Sequence, residues 1–349
     1  MVRAIGLGLT LLAVLAGTAS AKAPLKINQL QVLGSHNSYR SVASPATQDQ
    51  LNTRIGSAAR GLDYGHPSLE AQLKLGVRQF EFDPYVDRNG GRYAQPEMDP
   101  AHVAVMRQPG LKVLHMPVID QESNCLTLRA CFAALADWSR RHPKHEVIFI
   151  TVDTKEAPST ISGIESPSLY EGRDLDEIDA TARAIFGRRH LITPEDVRGG
   201  FPTLREAVLA RNWPTVAAAR GKFMIILDSN PRIAALYRTG HANLAGRALF
   251  GVYEDDQPEA SVFNIQEPVA EEARIDRLVR QGFIVRSRSD ANTIEARTHN
   301  LKRFQAAVRA GAQIISSDYY PGAPDPLDLK FVVRMAHGFA QPNLVLAPQ

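Results

Sequence analysis

The sequence predicts an α/β fold, a (β/α)8 TIM-type barrel with some irregularity and an elaborated loop region between strands four and five. Three observations predict it. Short β-branched apolar runs alternate with amphipathic helices along the chain, which implies a parallel sheet covered on both faces. Successive runs end on side chains that bind metals or move protons: Gly34-Ser35-His36-Asn37-Ser38-Tyr39, Phe80-Glu81-Phe82-Asp83, Val113-Leu114-His115 and Phe149-Ile150-Thr151-Val152-Asp153. No GxGxxG follows any strand, which removes the main cue for a dinucleotide-binding sheet.

The strand candidates are Leu30 to Leu33, Gln79 to Asp83, Lys112 to His115, Val147 to Asp153, Phe223 to Asp228, Ala248 to Tyr253, Phe283 to Arg286 and Ile314 to Asp318. They match the number a closed barrel needs. Val262 to Ile265 is a further contender, so the count is not forced. Helices are predicted over Pro67 to Leu75, Leu126 to Arg141, Leu175 to Phe186, Val269 to Gln281 and Thr293 to Ala310. Leu128, Phe132 and Leu135 repeat at i, i+4, i+7, and Leu301, Phe304 and Val308 at i, i+3, i+7, the spacing of core-facing stripes. Gly76, Gly282 and Gly311 stand where helices stop. The stretch from Glu156 to Arg220 exceeds one crossover and is expected to elaborate the active face.

Composition is that of an ordinary globular enzyme. The formal net charge of +3 arises from scattered Lys and Arg, which gives no support for a nucleic-acid partner and is compatible with an anionic membrane surface. Met1-Val2-Arg3 and the apolar stretch Leu7 to Leu15, followed by Ala19-Ser20-Ala21, fit a secretory signal peptide over residues 1–21. Residues 22–349 are then expected to form a single catalytic barrel, secreted or periplasmic. In such a compartment the two cysteines, Cys125 and Cys131, are expected to form a disulfide closing a small loop at a helix start.

Functional residues of a barrel sit at the carboxyl ends of its strands. Glu81 and Asp83 alternate along one strand, so both point to one side of the pleat. With Asn37 and Asp153 they make an all-oxygen set suited to Ca2+, and less to Mg2+. His36 and His115 are then available as proton donor and acceptor on either side of a reacting centre. That arrangement suits phosphodiester cleavage. No GxSxG elbow is present, so the attacking oxygen would come from substrate or water. A lone histidine after a strand is more often structural than catalytic; joint placement at successive strand ends is what favours the catalytic reading.

Several strings carry a family resemblance. Gly34-Ser35-His36-Asn37-Ser38-Tyr39, the run Asp63-Tyr64-x-His66-Pro67-x-Leu69 through Gln72-Leu73 and Gly76-Val77-Arg78 into Glu81-x-Asp83, and Leu114-His115 resemble the calcium-dependent, phosphatidylinositol-specific phospholipase C family of secreted bacterial enzymes. Ile284-Val285-Arg286-x-Arg288-x-Asp290-Ala291-x-Thr293, Gly311-Ala312-Gln313 and Ser317-Asp318-Tyr319 resemble its last two strands. The resemblance implies that His36 and His115 are the catalytic pair and that Asn37, Glu81 and Asp83 bind calcium. Related eukaryotic enzymes usually place a glutamate where Asp153 aligns, and the shorter aspartate would draw the ion closer or admit a water. The implied reaction is attack by the inositol 2-hydroxyl on its own phosphodiester, with diacylglycerol leaving and no enzyme nucleophile needed.

Lys155, Asp228, Arg286 with Arg288, and Asp318 with Tyr320 are candidates for holding the head group, since charged forks and aromatic faces hold hydroxyl-rich rings. The expected partners are a phosphoinositide or related phosphodiester and a transient membrane surface, with the chain a monomer. A glycerophosphodiester phosphodiesterase is the nearest rival, but that family typically opens with His-Arg where this chain has His36-Asn37. A non-catalytic periplasmic protein sequestering inositol phosphates is a second alternative, disfavoured by two histidines standing beside every oxygen ligand.

Overall fold

The computed structural model describes residues 23–346. The leader expected over residues 1–21 lies outside them. Two parallel sheets carry the fold. In one, Leu30–Ser35 (β1), Ile314–Ser317 (β11), Ile284–Arg288 (β10) and Val262–Asn264 (β9) run parallel, and Ala340–Pro342 (β12) joins β1 antiparallel. In the other, Gln79–Phe82 (β2), Ile148–Asp153 (β5) and Phe223–Asp228 (β7) are parallel neighbours, and Leu191–Ile192 (β6) and Phe250–Gly251 (β8) both pair with β7. A parallel bridge between Val252 and Val262 links the sheets on one side. On the other, β1 and β2 share no ladder, but Arg78 N–H donates to Leu33 O at 3.3 Å and Ser38 N–H to Glu81 O at 3.0 Å. This mixed α/β arrangement of parallel sheets is the TIM-type organisation expected.

One expected barrel strand is something else. Lys112 to His115 does not join either parallel sheet; Gly110–Val113 (β4) instead pairs antiparallel with Pro84–Asp87 (β3) as a separate ribbon. Leu114 packs with Tyr85, Tyr93, Met106 and Leu126 in a satellite cluster, while Leu111 and Val113 reach the main core from the ribbon. The further contender, Val262 to Ile265, takes the vacated rank as β9. So short a segment, with Val113 and Leu114 its apolar residues, has the same periodicity in either setting.

Helix ends follow local chemistry. The Thr127 side chain accepts from Ala130 N–H at the start of Leu128–Arg141, and Leu128, Phe132 and Leu135 are buried. Ser68 caps Leu69–Leu75, which ends at Gly76 with φ +116°, a left-handed stop open to glycine. Thr293 to Ala310 is broken into Ile294–Arg297 and Lys302–Arg309. His299 between them takes φ +49°, and the Asn300 side chain accepts from Lys302 N–H at 3.0 Å to restart the helix. The long segment after β5 only begins at the carboxyl end of the sheet: helix Gly172–Phe186 returns, and β6 then pairs with Phe223 and Met224 at the amino end of β7. Cys125 and Cys131 form the expected disulfide.

Candidate active site

At the end of β1 the chain turns through Asn37, whose φ of +47° is tolerated by asparagine better than by most side chains. Ser38 then clasps the neighbouring strand: its Oγ accepts from Glu81 N–H at 2.8 Å while its own N–H donates to Glu81 O. Strand alternation sends Phe80 and Phe82 into the core and Glu81 and Asp83 to the opposite face. Asp153 ends β5, adjacent in the sheet, and the carboxylate oxygens of Glu81, Asp83 and Asp153 all lie within 4.8 Å of one another.

These groups fit a hard divalent cation. Asn37 Nδ2 donates to the Tyr64 hydroxyl at 2.9 Å, leaving a buried Oδ1 with no hydrogen-bond partner. Both Asp83 oxygens are buried; Oδ1 has no partner and Oδ2 faces only the Lys155 ammonium, at 3.2 Å. Buried acceptors without donors are costly unless a ligand satisfies them, and an amide oxygen with three carboxylates is calcium-type coordination. Burial pushes the Asp83 carboxyl up to about 8, opposed by Lys155 and reinforced by Asp153 and Glu81. Burial, reinforced by Asp153, likewise pushes Asp228 up to about 7. So many acids in one mouth require positive charge nearby.

Part of that charge comes from the protein. Lys155 Nζ lies 3.2 Å from Asp83 Oδ2 and pairs with Asp153 as well. Arg286 pairs with Glu81, donates to Ser316 Oγ at 2.7 Å and to Asn264 Oδ1 at 3.0 Å. Asn264 in turn donates to Asp228.

Each candidate catalytic imidazole is backed by a buried carboxylate. His36 Nδ1 is 3.0 Å from Asp318 Oδ1, and its Nε2 is 3.9 Å from Glu81 Oε1. His115 Nδ1 is 2.7 Å from Asp120 Oδ2. A carboxylate at Nδ1 fixes the proton there and leaves Nε2 of the neutral ring as acceptor. Burial, then the Arg288 guanidinium, lowers the His36 imidazole well below the usual histidine range; Glu81 opposes this, and Arg286 and His115 add to it. Asp318 is itself held by Arg288 Nη2 at 3.3 Å, and its N–H donates to Asp290 Oδ1 at 2.9 Å.

Three supporting residues escaped the sequence reading as site residues. Asp120 accepts from Arg40 Nε at 2.7 Å while facing His115. Arg40 is fully buried and also donates to Tyr64 O. His66 Nε2 donates to the His36 carbonyl at 2.6 Å, which leaves its Nδ1 to accept from the Tyr320 hydroxyl at 3.2 Å. His66 lies within the Asp63-to-Arg78 run that carries the family resemblance, but no strand precedes it. Asp120 sits five residues beyond His115 in a Met116–Asp120 turn, a spacing that carries no regular pattern.

The fold thus gathers His36, Asn37, Glu81, Asp83, Asp153, Lys155, Asp228, Arg286 and Asp318 around one mouth, with Arg288 behind Asp318. His115 reaches it from the antiparallel ribbon rather than from a barrel strand, and Tyr85 OH donates to its carbonyl at 2.9 Å. Tyr320 is buried, with its ring stacked on His66 at 5.5 Å.

Parallel strands whose carboxyl ends converge on oxygen donors define an α/β protein with a site for a hard divalent cation. The chain belongs to the Ca2+-dependent phosphoinositide phospholipase C family, whose model matches residues 25–343. It is accordingly an enzyme of the phospholipase C type with calcium as cofactor. The fold is similar to that of a calcium-dependent phosphoinositol-specific phospholipase C from a Gram-negative bacterium, Pseudomonas sp., in its myoinositol complex. That similarity has 17% identity, a TM-score of 0.58 and coverage of 91% of this chain and 96% of that one. A Ca2+-dependent phosphatidylinositol-specific phospholipase C from Streptomyces antibioticus is similar at 18% identity and TM-score 0.55, covering 88% and 98% of the two chains. No curated protein matches the chain.

Proposed function

We propose that the enzyme cleaves phosphatidylinositol: the inositol 2-hydroxyl attacks its own phosphodiester, diacylglycerol leaves, and an inositol phosphate is released. The observation that carries this reading is the pairing of His36 with Asp318 at 3.0 Å and of His115 with Asp120 at 2.7 Å beside one acid cluster. Each pair orients an imidazole with Nε2 available for a proton. His115, with Asp120 facing its Nδ1, enters the step carrying a second proton on Nε2 and gives that proton to the departing glycerol oxygen. His36, held neutral by burial, takes the proton of the attacking hydroxyl or donates to the phosphoryl oxygens; the two roles are exchangeable between the histidines.

Asn37, Glu81, Asp83 and Asp153 would hold Ca2+, which supplies charge neutralisation for the phosphoryl oxygens and acidifies the hydroxyl. Arg286, Asp228 and Asp318 would form the wall that meets the inositol ring, Arg286 through its hold on Glu81 and Asp318 through its hold on His36, and Lys155 would offer a cation to the phosphate. Tyr320 supports this wall through His66. Residues 22–349 would act as one catalytic unit, a monomer released by cleavage of the leader and touching membranes only transiently. Among the described residues no helix is long and apolar enough to cross a membrane.

Thin-layer separation of products from phosphatidylinositol and from glycerophosphoinositol tests the reading. Calcium-dependent release of diacylglycerol is expected. His36→Ala and His115→Ala should each lower kcat by about 10²–10⁴ with circular dichroism unchanged. Release of glycerol 3-phosphate with the lipid untouched would replace this reading by the glycerophosphodiesterase one.

A further inference from the structure

Two protein cations sit on the acidic cluster, and they are held very differently. Arg286 has a side chain only 2% exposed and is fixed by Glu81, Ser316 and Asn264 at once. Lys155 is 31% exposed and its ammonium is paired with carboxylates, Asp83 at 3.2 Å and Asp153. Its stem starts two residues beyond Asp153, where Lys155 N–H donates to Pro84 O at 3.2 Å, so the backbone is pinned while the four-carbon arm can turn to solvent. An ammonium also has no fixed fork to hold it in one geometry, unlike a guanidinium.

The same Asp83 and Asp153 oxygens belong to the triad whose members approach within 4.8 Å. A divalent ion on those oxygens would stand within a few ångströms of Nζ. Two cations that close in a poorly hydrated mouth repel strongly. Only one of them can use these oxygens at a time.

We infer that Lys155 is an exchangeable counter-ion of the calcium site: the incoming ion displaces its ammonium from Asp83 and Asp153, and the released arm turns to the anionic phosphodiester. The inference rests on the assignment of these oxygens to calcium proposed above. Its consequence is that Lys155 weakens calcium binding in the free enzyme and ties it to substrate. A group that must vacate one site to serve another couples the two, and the coupling is reciprocal. Arg286, with three partners and almost no exposure, stays on Glu81 throughout.

Calorimetric titration of the mature protein with Ca2+ alone tests this, with Asp83→Asn as the control for the site. Asp83→Asn should abolish binding. Lys155→Met should tighten Ca2+ binding by about tenfold, within the usual range of site-to-site coupling, and Lys155→Arg, which keeps the charge, should not. A second readout uses the unaltered enzyme, so that it does not depend on the variants folding. Reductive methylation of Lys155, followed by peptide mass spectrometry, should quicken several-fold at saturating Ca2+ relative to exposed Lys74. Asp83→Asn binding like the parent would remove the site assignment itself. If Asp83→Asn loses binding while Lys155→Met binds no tighter, or if methylation of Lys155 is indifferent to Ca2+, the assignment stands and the exchange of cations is wrong.

Discussion

Asp318 Oδ1 lies 3.0 Å from His36 Nδ1, joining the first strand of the parallel sheet to the last. The ladder between β1 and β11 sets this contact, because Ser35 is in register with Ser317 and each is followed by one member of the pair. The orientation of His36 is thereby a property of the sheet and not of a loop. His115 gains its carboxylate by a different route, from the short turn that carries Asp120.

Asp120 holds two groups, and its loss should be felt in both stability and turnover. Burial raises the Asp120 carboxyl, but the His115 hydrogen bond and the Arg40 charge outweigh it and hold the group below the usual carboxylate range. Asp120→Asn leaves the buried Arg40 guanidinium without its counter-charge, which costs about 3–5 kcal/mol, readable by urea unfolding at pH 7. Because the native carboxyl is depressed, its contribution is present above the unfolded value of about 3.9 and fades as the pH falls below it. The gap between parent and variant should therefore narrow below about pH 4.

His66 gives a second, separable pH effect. Burial lowers it to about 4, with Asp318 and the His36 carbonyl opposing. The neutral ring makes both of its hydrogen bonds, whereas the unfolded ring takes up a proton near pH 6.5. The unfolded state thus binds more protons between those values, and stability falls as pH drops from 6.5 toward 4, by about 3 kcal/mol over the full window. His66→Gln should flatten this part of the profile, as measured by urea unfolding at pH 7, 6 and 5. An unchanged slope would mean that His66 is protonated in the fold.

Gly34 tests the packing between β1 and β2. A Cβ there would meet Gln79 Oε1 at 2.0 Å and Gln79 Cβ at 2.5 Å. Gly34→Ala should force the two strands apart and cost about 1–3 kcal/mol, visible as a lowered Tm. Retention of the parent Tm would show that the Gln79 side chain and strand have room to shift.

The disulfide closes a loop of sequence separation 6. Chain-entropy reasoning assigns so small a loop about 2 kcal/mol. Cys131→Ser should lower the unfolding free energy by that amount, and dithiothreitol should lower it in the parent but not in the variant.

What the sequence discloses follows the range of the interactions. The parallel strands are legible because both faces are buried, and the candidate ligands because they stand at or just past the ends of those strands. Lys112 to His115 reads as another such strand because a short segment buries its apolar residues equally well from an antiparallel ribbon, and its pairing partner, Pro84–Asp87, is set only by the fold. The Leu301, Phe304 and Val308 stripe was sound, yet it describes only the second of two helices, since apolar spacing does not register a left-handed residue such as His299. The His115 carboxylate partner and the His66 contact with the His36 carbonyl depend on turns and on distant register, and neither leaves a periodic trace.

Since β1 and β2 are fastened through Ser38 and Arg78 rather than through a ladder, the wall that carries Asn37 and Glu81 lacks the continuous backbone stitching of its neighbours. Amide protons along that edge should exchange with deuterium ahead of those in the β5–β7 ladder. An ion gripping Asn37 from one strand and Glu81 from the next would act as a rivet across the gap, so that occupancy of the site stiffens the doorway through which substrate enters.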